Sequence, residues 1–149
     1  VMLGEMRDRD TISTAITAAE TGHLLLSSLH TIGAAKTVDR IIDSFPAEQQ
    51  AQIRIQLSAV LKAVVSQRLV PTADGKRKAV FEVMTVTPAI QTMIRDGRTH
   101  QIDNVIYGGS DRNMISMDNE LARMVKEGRI TRDTALLYAG NAEVLAKRI

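Results

Sequence analysis

Two short stretches carry the groups that could do chemistry. The first, "VMLGE" at residues 1–5, is an apolar run that ends in Gly4-Glu5. An acid at the tip of a hydrophobic strand can orient an attacking water or help hold Mg²⁺ beside a terminal phosphate, with the glycine keeping the approach narrow. A plain strand-end carboxylate fits the same residues. The second, "TGHLLLSSLHT" at residues 21–31, brackets an apolar run with His23 and His30 and interrupts it with Ser27 and Ser28. Side chains alternate along a strand, so residues seven apart face opposite ways and the two imidazoles cannot form a metal pair on one straight strand. His30, at the carboxyl end where open α/β sheets bind ligands, is the candidate for a site; His23, at the start, reads as structural. Between these stretches lies "MRDRD", residues 6–10. There Arg7 could neutralise a phosphate or bridge to a neighbouring subunit, or simply belong to a solvated turn.

Positioning these groups requires a βαβ unit. Residues 1–4 read as the end of a buried strand. Asp10 is placed to cap a helix over residues 11–20, where Ile12, Ala15, Ile16 and Ala19 recur at helical spacing before Gly22 ends it. Residues 23–29 then form a second strand, expected to be buried on both faces as in a parallel sheet, with a right-handed crossover. A helix is predicted over 34–44. After Pro46 a long helix is predicted over 47–67, its stripe formed by Ile53, Leu57, Val60, Leu61 and Val64. "RLVP" and "KAVFEVM" read as strands joined by "TADGKRK", whose Asp74-Gly75 is a hairpin signal. Thr87-Pro88 pairs an N-cap with proline at the first helical position. Helical pieces follow at 88–96, 99–107, 118–127, 131–139 and 141–148, and residues 107–113 are the linker candidate.

Composition excludes several classes. The chain of 149 residues has an ordinary soluble balance, 44% apolar and 24% charged, with a net charge of only +2. Aromatics are 3%, so aliphatics and seven methionines fill the core and base-stacking platforms are lacking, which argues against nucleic-acid binding. With no cysteine, disulfides and thiolate metal sites are excluded. No apolar run approaches the roughly 18 residues of a membrane helix, and no signal peptide is visible, so a soluble, cytoplasmic protein, peripheral to a membrane at most, is expected. "GKRK" is not a phosphate loop: Val70 stands where the first glycine is needed, and Arg77 follows Lys76 where Ser or Thr belongs. No Ser-His-Asp set, zinc motif or calcium loop occurs.

Taken in order, "VMLGEMRD", "TGHLLLSSLHT", "AAKTVDRIIDSFP" and "VVSQRLVP" closely resemble the secretion and type IV pilus ATPases, in particular the retraction branch that serves twitching motility. The likeness covers essentially the whole chain and weakens through 108–117. It implies an α/β fold: the C-terminal part of a RecA-like P-loop ATPase core with a parallel sheet (residues 1–87), a small hairpin, and an α-helical C-terminal region (88–149). By this resemblance Glu5 is the Walker B glutamate, set against the water and Mg²⁺ near the γ-phosphate, with Gly4 beside the nucleotide. His30 is the histidine-box member nearest the nucleotide and His23 the other. Arg7 lies in the family's "GE-x-RD" run beside the site. The implied cofactors are ATP and Mg²⁺. The implied partners are copies of the chain in a hexameric cytoplasmic ring and the pilus machinery at the inner membrane.

The family's "AIRNLIR" motif, linked to retraction, reads "AIQTMIR" here. Gln91, Thr92 and Met93 depart from it, while Ile90, Ile94 and Arg95 remain. Neither the Walker A loop nor the family's acidic box or PAS-like domain occurs in the sequence. The expectation is therefore a C-terminal piece of the motor that hydrolyses no ATP by itself, with an unpaired strand edge inviting self-association. Assembly and type II secretion ATPases are the close rivals. They typically carry a four-cysteine zinc insertion, so the absence of cysteine favours retraction. The remaining alternative is a non-catalytic docking or oligomerisation module.

Overall fold

The computed structural model describes residues 1–109 and 113–149. Helices and strands follow in the order α1 (Arg9–Glu20), α2 (Ala34–Asp43), α3 (Ala47–Val60), β1 (Ala63–Pro71), β2 (Arg77–Thr85), α4 (Pro88–Arg95), a 3₁₀ turn (Thr99–Gln101), α5 (Ile102–Gly108), α6 (Met117–Lys126), α7 (Arg132–Tyr138) and α8 (Ala142–Ala146). The chain divides into two compact units. One comprises residues 1–31, 35–63 and 86–102; the other comprises 32–34, 64–85 and 103–149. The hairpin packs on α6 and so joins the C-terminal helices, whereas α4 packs on α3 and so joins the N-terminal residues. Residues 110–112 of the linker candidate lie outside the described residues.

The first unit is built on helices whose apolar residues recur three and four apart. Ile12, Ala15 and Ile16 of α1 are buried, as are Val38, Ile41 and Ile42 of α2, Ile53 and Leu57 of α3, and Ile90 and Ile94 of α4. Asp8, not Asp10, caps α1: Thr11 N–H donates to its Oδ1 at 2.9 Å and the Thr11 hydroxyl to its Oδ2 at 3.1 Å. Asp10 already lies inside the first turn. The long helix predicted over 47–67 stops at Val60, and Leu61 turns extended at φ −64°, ψ 127°. Its expected continuation becomes β1. Val64 and Val65 suit a strand, and β2 offers a partner that helical periodicity cannot see.

The strands expected at 1–4 and 23–29 are reduced to extended segments joined at a parallel bridge between Met2 and Leu26. They are not buried on both faces. Met2 is 75% exposed, Leu24 71% and Leu26 61%.

In the second unit β1 and β2 form a two-stranded antiparallel sheet around the turn that Asp74-Gly75 signals. Gly75 has φ +80°, which disfavours any side chain, and Thr72 N–H donates to Lys76 O at 2.8 Å. Val70 and Val80 from the hairpin pack with Met117, Leu121 and Met124 of α6, Ala135 of α7 and Leu145 of α8. Buried Asp118 accepts the N–H groups of Gly140 at 2.7 Å and Asn141 at 2.9 Å, tying the entry of α8 to α6. Among the described residues no helix is long and apolar enough to cross a membrane.

Candidate functional site

The site grows from the parallel pairing of residues 1–6 with 24–28. Leu26 N–H donates to Val1 O and Leu3 N–H to Leu26 O, both at 2.9 Å, which is the regular parallel pattern. The next bond runs from Met6 N–H to Ser28 O at 3.0 Å. One side has advanced three residues and the other two. Gly4-Glu5 therefore holds an extra residue, a slip of the bulge kind that re-aims a side chain. The Ser28 hydroxyl secures the slip by donating to Gly4 O at 2.8 Å. A Cβ on Gly4 would meet nothing within 4 Å, and its φ is not left-handed, so the chain itself does not demand glycine there.

Glu5 leaves this bulge and meets His30, whose Nε2 donates to its Oε2 at 2.8 Å. Its other oxygen, Oε1, pairs with Arg7 Nε. Three of the residues singled out from the sequence thus converge. The Glu5 side chain is only 25% exposed, whereas those of His30 and Arg7 are 86% and 78% exposed. The hydrogen bond from His30 is the main reason that the Glu5 carboxyl sits below its usual range. Arg7 adds to the effect and partial desolvation opposes it. The group is an oxygen ligand biased toward its ionised form, and both of its partners are exposed.

His23 is not part of this cluster. Its Nδ1 donates to Ala18 O at 3.1 Å and lies 3.2 Å from the Thr21 hydroxyl, fastening the segment to the carboxyl end of α1. Two contributors were not singled out as site residues. One is Asp8, whose position three residues before Thr11 is itself a capping signal. The other is Ser28, marked only as a hydroxyl interrupting an apolar run. The neighbouring Ser27 Oγ is buried without a partner among the described residues.

Among the described residues no group of three or more His, Asp or Glu side chains is placed to hold a metal ion. Glu5 can supply one oxygen ligand. That suits Mg²⁺, which usually takes one or two carboxylates and fills the remaining positions with phosphate oxygens and water.

A carboxylate and an imidazole brought together from a strand tip and the end of its parallel neighbour is an arrangement that can be compared with known proteins. The family model described as "Type II/IV secretion system protein" matches residues 1–147. The chain belongs to this family. Within it, the chain is 45% identical over 147 residues to the "Twitching motility protein" of Neisseria gonorrhoeae, covering 98% of this chain and 39% of that one. It is also 45% identical over 135 residues to the "Type IV pilus retractation ATPase PilT" of Pseudomonas aeruginosa, covering 91% of this chain and 39% of that one. Among solved structures, the pilus retraction motor PilT with bound ADP superposes at a TM-score of 0.87 and 37% identity, over 98% of this chain and 41% of that one. The α/β fold with its small antiparallel hairpin and helices is that of the secretion-family ATPase over this stretch. The chain spans about two-fifths of the length of these relatives.

The "AIQTMIR" stretch falls on α4. Thr87 caps it, and Ile90 and Ile94 are fully buried against α3. The departures at Gln91, Thr92 and Met93 are only partly buried, and Arg95 stands at the exposed end. The substitutions therefore spare the packing of the helix.

Proposed function

We propose that this chain is the catalytic C-terminal part of a pilus-retraction motor ATPase that works as a hexameric ring at the inner-membrane base of the pilus. The observation that carries the reading is the 2.8 Å contact between His30 Nε2 and Glu5 Oε2, which joins the ends of two motifs 25 residues apart. Glu5 is the group that orients water and takes a place on Mg²⁺; His30 holds its carboxylate in position and keeps it ionised. Arg7 lies on the solvent side, where it can exchange Glu5 for a phosphate oxygen at little cost, because exposed ion pairs are weak. Gly4 leaves open space beside the carboxylate, and His23 secures the strand that carries His30. ATP with Mg²⁺ supplies the phosphoryl group and the electrophile.

The 149 residues contain no glycine-rich loop followed by Lys and Ser or Thr, so a segment outside them has to cradle the phosphates. On this reading the isolated chain hydrolyses no ATP, and joining it to the Walker A segment of a retraction ATPase creates turnover. Glu5→Gln then lowers kcat by about 100-fold or more, as expected for loss of a group that acts on the nucleophile. Turnover by the isolated chain, or a joined protein indifferent to Glu5→Gln, refutes the assignment. The absence of cysteine supports the retraction branch over assembly and type II secretion enzymes, which typically carry a cysteine-bound zinc.

A further inference from the structure

The "GKRK" stretch, which is no phosphate loop, builds a different feature. At the tip of the β1–β2 hairpin lies an open groove of about 400 Å³. Its lining includes Lys76, Arg77, Lys78 and Arg129 with one carboxylate, Asp74. The tip is held in one shape. Gly75 takes its left-handed φ, Gly75 N–H donates to Thr72 O at 3.0 Å, and Ala73 N–H donates across to Arg129 O at 2.9 Å.

Two of the four cations are neutralised locally. Lys76 pairs with Asp74 at 3.6 Å and Arg129 with Glu127 at 3.1 Å. Arg77 and Lys78 form no ion pair with any described residue. The hairpin thus presents two positive charges without an ion-pair partner among the described residues at the start of β2, in a chain whose whole surplus is only +2.

We propose that this groove docks an acidic polypeptide segment of a partner protein. A flat anionic membrane fits it poorly, because Asp74 and Glu127 flank the cations and would repel a continuous negative plane, whereas a single carboxylate side chain can enter between them. A lone phosphate fits poorly too. The Thr72 hydroxyl is already engaged by Asp74 at 2.5 Å and by Lys76 N–H at 3.1 Å, so it adds no free donor to the two side chains. Several spaced carboxylates along an open groove match what remains, and charge complementarity of this kind mainly sets specificity and association rate.

The test titrates the 149-residue chain with a fluorescent twelve-residue peptide rich in Glu and Asp. Vesicles containing phosphatidylglycerol and inorganic phosphate serve as the other arms. Binding is expected to weaken about tenfold between low and moderate salt. Arg77→Glu/Lys78→Glu is expected to weaken it by about tenfold or more, while Lys62→Glu/Lys147→Glu, an equal change of charge at exposed sites elsewhere, leaves it within about twofold. NMR shifts on peptide addition should centre on residues 72–78 and 128–129. Equal losses in both double variants, shifts centred elsewhere, displacement of the peptide by millimolar phosphate, or vesicle binding that depends on Arg77 and Lys78 while the peptide does not bind would each overturn the proposal. The proposal does not depend on the Glu5 site, and neither result bears on the other.

Discussion

Two of the extended pairings among the described residues each carry one glutamate in an unusual state. In the parallel pair, residues 1–6 with 24–28, the apolar side chains of Met2, Leu24 and Leu26 face solvent. In the antiparallel pair, β1 with β2, Ser66, Val70, Val80 and Met84 are buried. Glu5, in the first, is pushed toward its ionised form by a hydrogen bond from His30 and by Arg7. Glu82, in the second, is pushed toward its neutral form by burial, with Asp103 and Asp118 adding repulsion and the N–H groups of Ala34 and Met117 opposing. One residue type is thus tuned both ways by what surrounds it.

The sharpest way to break this contrast is through packing. Leu121, fully buried in the second unit, should cost about 2–5 kcal/mol when changed to Ala, whereas Leu26→Ala, at a residue 61% exposed, should change stability by no more than about 0.5 kcal/mol. Urea unfolding of the two variants measures both. Comparable losses would mean that the parallel pair is covered in solution.

The glycines extend the comparison at smaller scale. Gly75→Ala places a side chain at φ +80° and should destabilise by about 1 kcal/mol. Gly4→Ala meets open space and an ordinary φ and should fall within about 0.5 kcal/mol of the parent. If Gly4→Ala folds normally yet abolishes turnover in a protein that contains the phosphate-cradling segment, the requirement for glycine lies with the ligand.

The smallest effects are in pH dependence, and they have opposite signs. The folded-state pKa of Glu5 is depressed, so its contribution is present above the ordinary carboxylate value and is lost as pH falls through the depressed one. Relative to Glu5→Gln, the parent should therefore lose stability on acidification. The folded-state pKa of Glu82 is raised, so its ionisation destabilises fully above that raised value and not at all below the ordinary one. Relative to Glu82→Gln, the parent should gain stability on acidification. Thermal melts from neutral to acidic pH read both, and slopes of the same sign would remove the distinction.

Local chemistry was legible in the amino-acid sequence wherever a few adjacent residues decide the outcome. Asp74-Gly75 specifies its turn because the backbone there needs positive φ, and Thr87-Pro88 starts α4 because a hydroxyl cap and a fixed φ suit a first helical turn. The spacing of Ile12, Ala15 and Ile16, or of Val38, Ile41 and Ile42, marks a helix face by itself. The pairing of Glu5 with His30 had no such local signal. It depends on a one-residue slip between segments more than twenty residues apart, locked by the Ser28 hydroxyl. Tertiary context also ended α3 at Val60, because β1 gains a partner in β2 that no helical stripe reveals. It left Leu24 and Leu26 exposed although their apolar run reads as buried, and it gave Glu5 and Glu82 opposite tendencies. Propensity and periodicity act through neighbours within about four residues, whereas register, burial and charge environment are set by partners that only the fold brings near.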